Sequence, residues 1–275
     1  MKRFKFLLAV LVVTQLAFSR GQQVDTISVF SSKMKKEVKS VVILPENYSE
    51  KRHYPVVYLL HGYSDNYAKW IKAVPAIKSL STQYQQIIVC PDGGFSSWYI
   101  DSPIDSTSQY ESYIANDVLK FVDSHYSTIA NRSARAITGL SMGGHGALYI
   151  AIRNKDLFGQ AGSMSGGVDL RFSTKKYDIS KRIGEFETSQ QEWDNRSVVN
   201  MVSGLQNNEL NLIIDCGVSD FFYQINASLH RRLIALNIDH DYIERPGAHN
   251  WEYWTNSIQY QLLFFNQGFE KAKKK

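Results

Sequence analysis

The sequence has little net charge and little cysteine, and each shortage argues against a class of protein. The formal net charge of the 275 residues is +5, and Lys2, Arg3 and Lys5 supply part of it. A nucleic-acid-binding protein needs a clustered basic face, so this balance argues against nucleic acid as a partner. Only two cysteines are present, Cys90 and Cys216, both at the ends of predicted strands. Their separation favours two buried free thiols over a disulfide, although export would permit one.

Motifs for cofactors and metals are also missing. The sequence contains no phosphate-binding loop and no dinucleotide fingerprint, and its seven histidines lack the spacing of metal ligands. We therefore expect no cofactor and no metal. After residue 18 no apolar run approaches the ~20 residues that a membrane-spanning helix needs, so we expect no stable membrane span.

Residues 1–21 have the pattern of a signal peptide. A basic start precedes an apolar stretch at residues 6–18, which is too short to span a bilayer comfortably, and small residues lie at its end. The pattern predicts export, into a periplasm or out of the cell, with an uncleaved N-terminal anchor as the alternative. The remainder, residues 22–275, has no linker or internal repeat and is predicted to form a single domain.

Short apolar runs alternate with amphipathic segments through most of the chain. Strands are predicted at residues 55–60, 87–90, 134–138, 159–165, 211–216 and 241–244, and helices at 73–83, 113–126, 146–152, 224–236 and 253–265. This alternation predicts an α/β fold with a mostly parallel, doubly wound sheet. Two earlier strands, 25–30 and 37–44, are typical of an antiparallel hairpin at one edge. The polar stretch 169–208 is predicted to be a partial cap inserted over the sheet.

The segment Gly139-Leu-Ser141-Met-Gly143 has the G-x-S-x-G pattern of a nucleophile elbow. In that motif a strand ends, the chain turns sharply and a helix begins, which exposes the serine hydroxyl above a parallel sheet. Glycine is needed on both sides because a Cβ would collide with the neighbouring strand or helix. A predicted strand precedes the motif and a predicted helix follows it, so Ser141 is the predicted nucleophile.

A serine hydroxyl is a weak nucleophile unless a base removes its proton and an acid orients that base. Asp220 and His249 follow two later strands, in the order Ser, Asp, His of an α/β-hydrolase, and are the predicted acid and base. Other candidates are less suitable. Asp215 lies within a predicted strand, and Asp239 and His240 lie before one. His145 lies on the helix after the elbow, His61 lies in another loop, and the glycines around Ser163 and Ser165 have the wrong spacing.

Acyl transfer also needs hydrogen-bond donors for the developing oxyanion. The backbone N–H of Met142 directly follows the nucleophile, and that of Tyr63 lies in a loop after an earlier predicted strand. These two N–H groups are the predicted oxyanion hole.

With these motifs taken together, the chain resembles a known family. The stretches that carry the likeness are Leu59–Gly62, Pro91–Gly94, Gly139–Leu148, Asp215–Asp220 and Pro246–Trp254. They resemble the putative-esterase branch of the α/β-hydrolases, which includes feruloyl and acetyl-xylan esterases, tributyrin-type esterases, S-formylglutathione hydrolase (esterase D) and the mycobacterial mycolyltransferases. The resemblance implies an α/β-hydrolase fold in which Ser141, Asp220 and His249 form the triad. It also implies Tyr63 and Met142 as the oxyanion donors.

Aromatic side chains are predicted to gather at the rim of this site: Trp70, Trp98, Tyr99, Trp251 and Trp254. Such rings stack on sugars or hold a phenolic acyl group, although packing in the core is the competing interpretation, above all for Trp254. Together with export, they predict a serine carboxylic-ester hydrolase acting on feruloyl or acetyl esters of plant polysaccharide or oligosaccharide. The alternatives are a generic short-chain acyl esterase, an acyltransferase and a non-catalytic secreted binding module.

Overall fold

An eight-stranded sheet runs through residues 23–274, the part of the chain that the computed structural model describes. The predicted signal peptide lies outside these residues. The strands are β1 (Val24–Ser31), β2 (Lys36–Ile43), β3 (Val56–Leu60), β4 (Ile87–Pro91), β5 (Arg135–Gly139), β6 (Gln160–Met164), β7 (Asn211–Gly217) and β8 (Asp241–Arg245). Their order is β1-β2-β4-β3-β5-β6-β7-β8. The β1–β2 and β2–β4 pairs are antiparallel and the other pairs are parallel, which confirms the predicted sheet with its antiparallel N-terminal edge.

Helices cover the sheet on both faces. Within residues 23–274 they are α1 (Lys69–Ala73), α2 (Ile77–Tyr84), α3 (Tyr110–Ser112), α4 (Leu119–His125), α5 (Met142–Arg153), α6 (Ser180–Ile183), α7 (Phe186–Arg196), α8 (Val198–Met201), α9 (Tyr223–Ala235) and α10 (Trp251–Lys273). A π-helical turn at Tyr113–Val118 joins α3 to α4. Helices α1, α2 and α10 pack on one face of the sheet, and α4, α5 and α9 on the other. None of these described helices is long and apolar enough to cross a membrane.

The central strands are buried along their whole length. Every residue of β3, β4, β5 and β6 is buried, as expected of parallel strands that helices cover on both faces. Cys90 in β4 and Cys216 in β7 are buried free thiols, as predicted, and burial raises the pKa of both. Three other strands separate β4 from β7 in the sheet, so these two thiols are held apart by the fold.

The segment predicted as a helix at 113–126 begins with the π-helical turn, and α5 begins at Met142, before its predicted start. Two further predicted helices also have different bounds in the structure. The helix predicted at residues 73–83 is divided between α1 and α2, because Pro75 disfavours helical backbone at Val74, where φ is −127° and ψ is 75°. Helix α10 continues to Lys273, well past its predicted end, and buries Phe265 and Phe269 one turn apart. This spacing keeps both rings on the core-facing side of the helix.

The segment 169–208, between β6 and β7, contains the short helices α6, α7 and α8, and we refer to it as the cap segment. Trp193 of α7 is fully buried, and its indole N–H donates to the carbonyl oxygen of Gly184 at 3.0 Å. The indole N–H of Trp98 donates to the carbonyl oxygen of Tyr177 at the same distance. The first bond lies within the cap segment, and the second holds the cap segment against the loop that follows β4.

Gly143 lies where the first turn of α5 passes the end of β3, and this close approach leads to a stability prediction. A Cβ at Gly143 would lie 2.6 Å from the carbonyl oxygens of Leu60 and His61, which are backbone atoms in a packed region. Gly143→Ala is therefore expected to lower the free energy of unfolding by about 1–3 kcal/mol or more. Urea unfolding followed by tryptophan fluorescence measures the change.

Gly204→Ala is the matched control, because no atom of another described residue, apart from its two chain neighbours, lies within 4 Å of the Cβ that it would add. Alanine at that position should leave stability unchanged or raise it slightly, since it reduces the conformational freedom of the unfolded chain. Equal unfolding midpoints for the two variants would contradict the close packing of α5 on β3.

Candidate active site

The three predicted catalytic residues lie beyond the carboxyl ends of strands in one half of the sheet. Ser141 follows β5, Asp220 follows β7 and His249 follows β8. Parallel strands present their carboxyl ends at the same edge, so the loops that carry these side chains converge there.

Ser141 has strained backbone geometry, with φ at 54° and ψ at −114°. Strand β5 ends at Gly139 and helix α5 begins at Met142, so the chain reverses within two residues. The N–H of Gly143 donates to the carbonyl oxygen of Leu140 at 2.7 Å and closes the turn. A Cβ at Gly139 would lie 2.6 Å from the backbone of Gly143, so the turn depends on both glycines.

A continuous chain of hydrogen bonds joins Ser141, His249 and Asp220. The Oγ of Ser141 lies 2.9 Å from Nε2 of His249, whose Nδ1 lies 2.9 and 3.0 Å from the two carboxylate oxygens of Asp220. Because a carboxylate only accepts, Nδ1–H donates to Asp220, and Nε2 is left to accept from the serine hydroxyl. The N–H of Phe222 donates to Oδ1 of Asp220 at 2.7 Å and holds the carboxylate in place. The structure thus brings the three predicted side chains together.

Backbone hydrogen bonds tie the acid loop, between β7 and α9, to the base loop, between β8 and α10. The N–H of Val218 donates to the carbonyl oxygen of Arg245 at 3.0 Å, and that of Ser219 to the carbonyl oxygen of Gly247 at 2.9 Å. The separation of Asp220 and His249 is therefore set by main-chain contacts rather than by their side chains alone.

Asp215, a competing candidate for the acid, belongs to a separate buried network. Its Oδ2 accepts from the Arg245 guanidinium at 2.6 Å, and its Oδ1 accepts from the Tyr253 hydroxyl. Burial raises the pKa of Asp215, and the contacts with Tyr253 and Arg245 oppose that rise. Its two carboxylate oxygens are occupied away from His249, which is consistent with Asp220 rather than Asp215 as the acid.

The two predicted oxyanion donors have no acceptor in the described part of the chain. Among residues 23–274, the backbone N–H groups of Tyr63 and Met142 make no hydrogen bond to another residue. Tyr63 lines the same pocket as Ser141, and Met142 begins α5. The first N–H groups of a helix have no partner within the helix, so the Met142 N–H remains available to a ligand.

Two histidines near the site have structural contacts that occupy their rings. The Nε2 of His61 accepts from the N–H of Gly93 at 2.8 Å, which leaves Nδ1–H to donate to the adjacent carbonyl oxygen. The ring nitrogens of His145 lie 3.1 and 2.8 Å from the carbonyl oxygens of Trp98 and Arg196. Burial lowers the pKa of His145 to about 4. Neither ring is free to act as a base toward Ser141.

Ser141 and His249 open into a pocket of about 170 Å³. The pocket is also lined by Gly62, Tyr63, Asp65, Trp98, Leu140, Tyr177, Phe221, Phe222 and Trp254. A dry cavity of about 150 Å³ is enough to hold a benzene ring, so this space admits a short acyl chain or a single aromatic ring. No group of three or more metal-binding side chains capable of holding an ion occurs within the described residues.

The predicted aromatic rim needs correction. Trp98 lines the pocket, but Trp70 and Tyr99 are fully buried and cannot contact a substrate there. The indole N–H of Trp70 donates to a carbonyl oxygen at the end of β3, and the Tyr99 hydroxyl is hydrogen-bonded to the backbone of His61. Trp251 is half-buried, packs edge-on against Trp70, and does not line the pocket.

Sequence reasoning missed three aromatic residues of the pocket. Phe221 and Phe222 directly follow Asp220, so their position beside a predicted acid was a usable signal. Tyr177 comes from the cap segment, and its ring lies 5.5 Å from the ring of Tyr63. No local pattern predicts that contact, because folding alone brings the cap segment over the loop after β3.

Comparison with known proteins finds similarity to esterases over most of the chain. The family model described as Putative esterase matches residues 31–265. The acetyl esterase of Caldicellulosiruptor saccharolyticus is 27% identical over 84% of this chain and 94% of that protein.

Two solved structures share the fold. A ferulic acid esterase superposes with a TM-score of 0.77 at 24% identity, over 90% of this chain and 100% of that chain. The S-formylglutathione hydrolase of Agrobacterium tumefaciens superposes with a TM-score of 0.79 at 19% identity, over 90% of this chain and 96% of that chain. At these identities the likeness concerns the fold, and it confirms the predicted α/β-hydrolase architecture.

The Asp215 network leads to a pH-dependent prediction. Arg245→Met leaves a buried carboxylate without its cation and is expected to lower the free energy of unfolding by about 3–5 kcal/mol near neutral pH. Because burial already raises the pKa of Asp215, folding is favoured when this group is protonated, and that contribution is lost as pH rises through the folded-state pKa. Without Arg245 the charged form of Asp215 is still less favourable in the folded protein. The loss in free energy of unfolding relative to the unsubstituted protein (the stability deficit) should therefore become smaller as pH falls.

Urea unfolding at a series of pH values measures this deficit against the unsubstituted protein. The control is the double variant Asp215→Asn with Arg245→Met, which has no carboxylate at position 215 and should show a smaller deficit that does not vary with pH. A deficit of the single variant that is the same at every pH would rule out the buried charge as its cause.

Proposed function

Because the chain belongs to the Putative esterase family and is a carboxylic ester hydrolase, we propose that it is a serine esterase that works through an acyl-enzyme. Ser141 is the proposed nucleophile, His249 the general base and Asp220 the acid that orients it. The observation that carries the proposal is the hydrogen-bond chain through these residues, with 2.9 Å between Ser141 Oγ and His249 Nε2. Membership of an esterase family leaves the non-catalytic binding module without support.

In the proposed reaction the Ser141 oxygen attacks the ester carbonyl carbon while Nε2 of His249 takes the hydroxyl proton. Asp220 accepts from Nδ1–H throughout and stabilises the imidazolium that forms. The tetrahedral intermediate then breaks the bond to the alcohol, which leaves with the proton from Nε2, and the acyl group stays on Ser141. Water attacks this ester in the same way, its proton passes through His249 to the serine oxygen, and the carboxylic acid is released.

The backbone N–H groups of Met142 and Tyr63 are the proposed donors to the oxyanion. This role is supported because neither N–H has an acceptor among the described residues. Met142 also begins α5, so the positive end of the helix dipole favours negative charge on the oxyanion. One such donor lowers the barrier by about 3 kcal/mol. Since both groups belong to the main chain, substitution of either side chain leaves the donors in place.

The proposed substrates are feruloyl or acetyl esters of plant polysaccharide or oligosaccharide. A pocket of about 170 Å³ that is walled by aromatic rings has room for an acetyl group or one phenolic ring. The relative named acetyl esterase supports the acetyl group. Export through the predicted signal peptide is part of this proposal, because a polymeric substrate must be met outside the cell. A generic short-chain acyl esterase is the second candidate, and the small volume of the pocket favours it.

The proposed nucleophile is tested by a matched pair of serine substitutions. Ser141→Ala should lower kcat by about 10⁴-fold or more, because the attacking oxygen is lost. Ser163→Ala removes a buried hydroxyl in β6 that has no hydrogen-bond partner within the described residues, so its activity should stay close to that of the unsubstituted protein. Most of the activity surviving in Ser141→Ala would eliminate the proposed mechanism.

The substrate class is tested with methyl ferulate, an acetylated xylo-oligosaccharide and p-nitrophenyl butyrate. Higher kcat/KM for either of the first two supports the polysaccharide-side esterase and identifies its acyl group. Higher kcat/KM for the butyrate ester would favour the generic short-chain esterase instead.

A further inference from the structure

One wall of the active-site pocket carries a carboxylate to which no described residue donates at normal hydrogen-bond distance. Asp65 lines the pocket together with Ser141, and its side chain is only 20% exposed. Within residues 23–274, no N–H or O–H group lies within hydrogen-bonding distance of its carboxylate oxygens. The nearest cation is Lys69, whose Nζ lies 3.6 Å from Oδ1.

This arrangement leaves the carboxylate incompletely solvated. Burial raises the pKa of Asp65, and the nearby Lys69 and His61 only partly oppose that rise. A half-buried carboxylate gains most from a close hydrogen-bond donor, and among the described residues Lys69 supplies only a long contact of 3.6 Å. A donor that arrives with a ligand would therefore bind here with a clear advantage.

The charge around Asp65 indicates which kind of donor fits. Lys69 offsets the negative charge of Asp65, so a cationic substrate would gain little net attraction at this wall. The remaining requirement is a hydrogen bond, and the rest of the pocket is walled largely by aromatic and aliphatic groups. A neutral hydroxyl on a sugar or phenol meets this requirement without placing a second charge in the pocket.

We propose that Asp65 accepts a hydrogen bond from a hydroxyl of the substrate and thereby selects esters that carry a free hydroxyl. This proposal rests on the function proposed for the same pocket and adds a specificity-determining residue to it. The hydroxyl comes either from a sugar ring on the alcohol side or from a phenol on the acyl side. Both sources present the same chemistry to the carboxylate, and the experiment distinguishes them.

Two substrate pairs, each differing only in a free hydroxyl, test the proposal. The acyl-side pair is methyl ferulate and methyl 3,4-dimethoxycinnamate, and the alcohol-side pair is a monoacetylated methyl xyloside and its O-methylated counterpart. The measured quantity is the kcat/KM of the hydroxylated ester divided by that of its methylated counterpart. Asp65→Leu should lower this ratio by about 10-fold or more for the pair whose hydroxyl binds Asp65. Asp65→Asn, which keeps the shape and one neutral acceptor, should lower the same ratio less. Ratios unchanged in both pairs for both variants would overturn the proposal.

Asp178→Asn is the matched control for the change of charge. Its carboxylate accepts from the Tyr63 hydroxyl at 3.4 Å but does not line the pocket, so it should leave both ratios within about twofold. Ser141→Ala on the same substrates separates this proposal from the previous one. Hydrolysis that depends on Ser141 with ratios indifferent to Asp65 would overturn only the role of Asp65. Hydrolysis that persists without Ser141 would overturn the mechanism itself.

Discussion

The reversal of the chain at Ser141 is the constraint on which the rest of the site depends. It succeeds only because Gly139 and Gly143 allow β5, α5 and the end of β3 to approach within backbone contact. The same approach places the first turn of α5 beside the loop after β3. One packing contact between a helix and a strand therefore positions the proposed nucleophile and the N–H groups of Met142 and Tyr63, which have no partner among residues 23–274. Strain at Ser141 is tolerated because the surrounding sheet and helix determine the turn on both sides.

Strand β7 and the loop after it supply two carboxylates whose surroundings give them different roles. Asp215 pairs with the Arg245 guanidinium and accepts from the Tyr253 hydroxyl inside the fold, whereas Asp220 faces His249 at the edge of the sheet. Arg245 contributes twice, since its guanidinium pairs with Asp215 and its carbonyl oxygen accepts from the acid loop. The buried ion pair and the spacing of acid and base are thus parts of one structure. Environment, rather than residue type, separates the two carboxylates.

The sequence predicts the sheet and the hydrogen-bonded residues better than it predicts the pocket. Continuous apolar runs identify the buried parallel strands, and the break between α1 and α2 is encoded by Pro75. The positions of the aromatic residues are harder to predict, because an apolar ring is equally favourable in the core and in the wall of a pocket. Trp70 and Trp98 illustrate this difficulty: both are almost fully buried, yet only Trp98 faces the pocket. Nothing in their local sequence distinguishes them.

The local sequence was enough to predict that Ser141, Asp220 and His249 would lie together, because neighbouring residues encode glycine-bounded turns and strand ends, and parallel strands align their carboxyl ends. The tertiary structure decided which groups surround them. Tyr177 reaches the pocket only through the docking of the cap segment. Asp65 has no close donor among the described residues because of the arrangement of side chains around it. Both depend on the directions of side chains from segments far apart in the chain, and a one-dimensional pattern does not encode those directions.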